Sequence, residues 1–178
     1  MRFSSKLLLG LALTLIAATA RPQSSAVPMP ADVPDLSGVY DDAGTIVKIA
    51  EGEEPPAVIS LHALLSLEFN AGLARLLQDR TREVRVKHEG DTFAVDFVDA
   101  DGETIWAPVW NRSTGGVLRD RRLHLHLKPG KFGNDEYLLV FENVTAHRLL
   151  QVQVQRVKAT FFGPVYQPYG TFLFHRLE

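Results

Sequence analysis

The chain has 178 residues, with 19 Lys and Arg against 21 Asp and Glu and no cysteine. Near-balanced charge of both signs, without a basic stripe, argues against a nucleic-acid partner. Absence of cysteine excludes disulfides, thiolate metal sites, a thiol nucleophile and thioether attachment of a lipid.

Residues 1–20 read as a secretory signal peptide. Arg2 and Lys6 provide a basic start, residues 7–17 an apolar run, and Ala18-Thr19-Ala20 a small-residue cleavage site. The apolar run is shorter than a bilayer-spanning helix requires. Cleavage there removes two basic residues and leaves a formal charge of about -4. A secreted domain of this size without disulfides points to a bacterial periplasm or the cell exterior. Asn111-Arg112-Ser113 and Asn143-Val144-Thr145 read as chance matches to a glycosylation acceptor. Residues 21–34, rich in Pro, Ser and Ala, form a flexible lead-in.

From residue 35 to 178 one β domain is expected. Residues 36–40 and 45–49 alternate polar and apolar and read as two short strands joined by a turn at Asp41-Asp42-Ala43-Gly44. After Pro55-Pro56 the spacing changes: Leu61, Leu64 and Leu65 share a helical face, with Ser60 as N-cap. Leu73, Leu76 and Leu77 are compatible with a further turn or two of helix, opposed by Gly72.

The rest reads as strands over residues 83–88, 92–98, 103–110, 122–128, 136–142, 149–157 and 169–176, separated by Gly, Asp and Pro turn chemistry. Short connections make neighbours antiparallel, leaving the helical segment as the sole candidate crossover. The fold class is therefore mainly β, an antiparallel meander forming a barrel or two-layer sandwich with one short helical segment. Leu123, Leu125 and Leu127 face one way with Val152 and Val154, so these residues build the core.

Three features bear on chemistry. His124 and His126, two apart on a strand, share a face and can serve as two zinc ligands, with His62, His88, His147, His175 or a carboxylate completing the set. Against that, both residues also suit a solvent-facing stripe opposite the leucines. Asp96, Asp99, Asp101 and Glu103 crowd one hairpin; without flanking helices they read as an Asp-Gly turn rather than a calcium loop. Phe161, Phe162, Tyr166 and Tyr169 crowd a segment punctuated by Gly163, Pro164 and Pro168. It reads as a connection too broken to be one strand, either plugging the core or presenting an aromatic binding loop. No G-x-S-x-G, H-E-x-x-H or phosphate-binding glycine loop is present, and no cofactor is implied.

Residues 36–40 (LSGVY), the leucine-rich 61–67, Gly90-Asp91-Thr92-Phe93 leading to Asp101-Gly102, and the closing 170–176 (GTFLFHR) together resemble small uncharacterised envelope proteins of Gram-negative bacteria. Many of those are lipoproteins; this chain lacks the lipid-bearing cysteine, and the resemblance implies no activity. A shorter likeness is to lipocalin-like barrels, with Gly38-Val39-Tyr40 and Arg176 in the matching places and tyrosine where tryptophan is usual. That likeness implies a cavity for an apolar ligand. The leading expectation is a periplasmic or secreted, non-enzymatic binding or interaction module, holding a small apolar ligand or an envelope protein through its interior or through residues 161–169. The alternatives are a metal-dependent hydrolase centred on His124 and His126, and a structural or inhibitor-like protective protein of the envelope.

Overall fold

The computed structural model describes residues 35–66, 71–128, 136–144 and 148–178. Residues 1–34, read from sequence as a signal peptide and lead-in, lie outside the described residues, as does His147. The chain enters through β1 (Gly38–Ile49), then two helices, α1 (Leu61–Leu65) and α2 (Ala71–Arg80). There follow β2 (Glu83–Glu89), β3 (Thr92–Val98), β4 (Thr104–Trp106), β5 (Val109–Trp110) and a 3-10 turn (Arg112–Thr114). β6 (Gly116–Arg119), β7 (Arg122–Leu127), β8 (Glu136–Val144), β9 (Leu149–Thr160) and β10 (Gly163–Arg176) complete the domain.

These strands form one ten-stranded antiparallel sheet, in the order β4-β3-β2-β1-β10-β9-β8-β7-β6, with β5 beside β3. The last strand returns to the first, and the sheet rolls on itself without a ladder joining β4 to β6 among the described residues. Phe93 of β3 consequently meets Phe141 of β8 across the interior, with ring centres 5.3 Å apart. The helical segment is not a crossover between parallel strands, because β1 and β2 pair antiparallel.

The period-two reading of the core holds. Leu123, Leu125, Leu127, Val152 and Val154 are buried in one cluster with Tyr40, Val84, Val86, Phe93, Phe141, Phe172 and Phe174. Leu61, Leu64, Leu65 and Leu77 bring the helices onto the same cluster.

Three boundaries differ from expectation. Asp41 to Gly44 is no turn: β1 runs through it, and pairing with β10 jumps from Tyr40↔Arg176 to Gly44↔Phe174, so the extra residues bulge out. Gly44 is needed there, since a Cβ would stand 2.5 Å from the Phe174 ring. Residues 103–110 split into β4 and β5 around Ala107-Pro108. Residues 161–169 are not a broken connection either; β10 begins at Gly163 and pairs with β9 from Gly163↔Thr160 onward. Pro164 and Pro168 are tolerated because β1 leaves β10 at Gly170, so a missing N–H interrupts no ladder on that side.

The aspartate-rich hairpin is a turn, as its sequence indicates. Asp99 Oδ1 accepts from the amides of Asp101 and Glu103, at 3.0 Å each, and Arg80 of α2 donates to Oδ2. That guanidinium first, then the amides, hold the Asp99 carboxyl below its ordinary value of 3.8. A depressed carboxylate stabilises the fold above the unfolded-state value and loses that contribution as pH falls through the folded-state value. Acidifying from about pH 5 to about pH 2 should therefore lower the melting temperature of the wild type more than that of Asp99→Asn. Parallel thermal melts across that range check it.

Candidate functional site

Among the described residues the far ends of β9 and β10 pair only with each other, and this hairpin end is termed the arm. Described pairing with β8 reaches only Val157, and β1 departs at Gly170. Phe161 and Phe162 form the tip with neither φ positive, and Gly163 follows at φ 114, the pattern of a type I turn closed by a glycine bulge. The Thr160 hydroxyl braces the turn, donating to the Gly163 carbonyl at 2.6 Å. Phe161 and Phe162 are 98 % and 97 % exposed, their rings in edge contact with each other. Val165 and Tyr166 lie half exposed just behind them.

Tyr169 has a different place. It packs on Phe172 at the base of the arm, under the Arg156 guanidinium, which in turn donates to Glu53 at 2.8 Å. Neither β9 nor β10 contains an aspartate or glutamate, while Arg156, Lys158 and Arg176 lie on them.

His124 and His126 do share a face of β7. His126 Nε2 lies 3.0 Å from Glu136 Oε2, whereas His124 Nε2 is buried without a hydrogen-bond partner. Desolvation, with Arg119 nearby, pushes the His124 imidazole below its ordinary value of 6.5. Among the described residues no three His, Asp or Glu side chains converge as a metal site. Gly38, Tyr40 and Arg176 are neighbours: Arg176 stands opposite Tyr40, and a Cβ on Gly38 would come within 2.5 Å of the guanidinium Nε. Tyr40 donates to the Leu36 carbonyl at 2.9 Å, and burial pushes its hydroxyl up to about 12.

A second constellation was not legible in the sequence. The β1 bulge turns Asp42 toward α1, where Oδ1 accepts from the His62 amide at 2.9 Å and Oδ2 lies 2.6 Å from His62 Nδ1. On the other side of the ring, Nε2 lies 3.3 Å from Ser60 Oγ, the N-cap oxygen that also accepts from the Ala63 amide. An Ala43↔Ser60 bridge and a bond from the Gly44 amide to the Ile59 carbonyl lock the two segments together. With the carboxylate on Nδ1, the neutral ring carries its proton there and offers Nε2 to the serine hydroxyl. Asp42, Ser60 and His62 are 8 %, 7 % and 7 % exposed, and all three line a cavity of about 820 Å³ between β1 and the helices.

No protein-family model matches the chain, and no curated protein matches it significantly. The structure offers two candidate places: the aromatic arm, and the Ser60-His62-Asp42 chain of hydrogen bonds. Of the residues singled out from sequence, Phe161, Phe162 and Tyr166 come together on the arm and Tyr169 supports it. His62 enters the second site as the partner of Asp42 and Ser60, not as a companion of His124 and His126. Only Ser60 had a local signal, its capping position; the Asp42 to His62 pairing spans 20 residues and leaves no periodic trace.

Proposed function

We propose that this protein is an extracytoplasmic interaction module that docks on the anionic lipid surface of the envelope through its β9–β10 arm. The observation that carries the reading is the pair of almost fully exposed phenylalanines at the tip of a braced turn. Large apolar side chains held out in water are costly unless something covers them. A tip of two phenylalanines, with Tyr166 half exposed behind it, matches the amphipathic profile of a headgroup boundary. Charge favours the same surface: a net-acidic chain presents there a hairpin free of acidic residues, with exposed Lys158 behind the tip.

The reading uses the arm and not the sheet interior, because Tyr40, Phe93, Phe97, Phe141, Phe172 and Phe174 pack there with almost no exposure. No helix among the described residues is long and apolar enough to cross a membrane.

Burying one phenylalanine contributes about 1.5–3 kcal/mol, so the pair accounts for roughly a hundredfold or more in partitioning. The purified protein should co-sediment with phosphatidylglycerol-containing vesicles, and more weakly with pure phosphatidylcholine. Phe161→Ser/Phe162→Ser should reduce binding by about that factor while leaving the circular dichroism spectrum unchanged. Wild-type protein that stays in the supernatant with both vesicle types refutes lipid docking.

A further inference from the structure

We propose that Ser60, His62 and Asp42 act as nucleophile, general base and orienting carboxylate in the hydrolysis of small carboxylic esters bound in the cavity beside α1. The proposal is independent of the arm, which lies on other strands.

The three side chains lie in the order that nucleophilic catalysis by serine requires: carboxylate to Nδ1, Nε2 to hydroxyl. Asp42 also fixes the ring through the His62 amide, so imidazole position and tautomer are set by one carboxylate held in the β1 bulge. A capping role alone would account for the Ser60 contact with Ala63. It would not require a buried histidine joined to a buried carboxylate on the far side of that serine.

The cavity has the size and the lining for a small ester. Ile59, Ala63 and Ala74 give the same cavity an apolar wall that suits a short acyl chain, while Gln78 and Arg82 provide polar groups for the alcohol part.

The reaction balances without a cofactor. Ser60 Oγ attacks the ester carbonyl carbon as its proton passes to His62 Nε2. The tetrahedral adduct collapses, the bond from carbon to alkoxy oxygen breaks, and the alcohol leaves with that proton. Water then gives its proton to Nε2 and attacks the Ser60 ester; the carboxylic acid departs and the proton returns to Oγ.

The test is covalent labelling of purified protein with an alkyl fluorophosphonate, which forms a serine phosphonate ester with loss of HF, read by intact mass and peptide mapping. One adduct is expected, on Ser60. His62→Gln should slow its formation by about 100-fold. Ser60→Gly, which keeps most of the capping preference, should abolish both the adduct and turnover of p-nitrophenyl butyrate. Ser113→Ala, which removes an exposed hydroxyl on the 3-10 turn outside the cavity, should leave both unchanged. Absence of a Ser60 adduct on folded wild-type protein overturns the proposal whatever the variants do. So does equal labelling of several serines, or ester turnover by Ser60→Gly at the wild-type rate.

Discussion

Replacing Asp42 by alanine should lower the unfolding free energy by roughly 2–4 kcal/mol, although the position reads locally as part of a solvent-facing turn. Its carboxylate accepts from both the backbone amide and Nδ1 of His62, and both residues are buried. Alanine leaves the two donors without partners in a weakly polar interior, where each unsatisfied group costs about 1–3 kcal/mol. Ser60→Gly should cost less, roughly 1–2 kcal/mol, because glycine is an acceptable N-cap and the remaining loss is that of one hydroxyl partner for His62 Nε2. Urea unfolding of the two variants beside wild type checks the contrast through the midpoint at constant slope. Equal, small losses in both would mean that Asp42 does not fasten α1 to β1. The comparison also matters for the catalytic proposal, since it separates a variant that loosens the site from one that removes only the hydroxyl.

Phe141→Ala should be the more damaging change, at roughly 3–5 kcal/mol. Phe141 is fully buried on β8, paired with Leu123 of β7 and Val152 of β9. Its ring reaches across to Phe93, which itself lies 6.0 Å from the ring of Trp110. The cavity left by alanine therefore opens where the two halves of the rolled sheet meet, and neighbouring strands can collapse into it only by changing the roll. Denaturant unfolding should show the loss in stability, with a weakened near-ultraviolet signal from Trp110. A cost below about 1 kcal/mol would mean that the Phe93 contact does not hold the halves together.

Attachment and catalysis would suit one another without depending on one another. An arm that docks on lipid keeps the domain at the envelope surface, and a serine relay beside α1 would act on esters reaching that surface. Loss of vesicle binding in the tip variant should leave labelling of Ser60 intact, and the converse should hold for Ser60→Gly.

Much of the fold follows from local pattern. Alternation in β7 and β9 identifies their buried faces, because a strand with one face covered repeats every two residues wherever it lies in the sheet. Ser60 announced α1, and Asp99 with Gly102 announced a hairpin, because capping and positive φ are satisfied within a few residues. Other features were hidden by the same local chemistry. Asp41-Asp42-Ala43-Gly44 has turn composition but is drawn into β1 by Phe174 on one side and the 59–60 segment on the other. Pro164 and Pro168 read locally as strand breaks, but among the described residues β1 does not pair with β10 before Gly170, so a strand accommodates them. β6 has no clear signal in the sequence, because its turn into β7 uses Asp120 and Arg121 at positive φ, without the glycine that usually marks one.

Sequence by itself determined that this is a strand-rich domain with a Leu and Val core, a capped helix and a cluster of aromatics near its end. Only the tertiary structure decided that Phe161 and Phe162 stand clear of that core while Asp42 reaches His62 and Ser60. Periodicity reports which face of an element is buried; which side chains meet across elements is set by strand pairing and by the bulge, and these depend on contacts far apart in the chain.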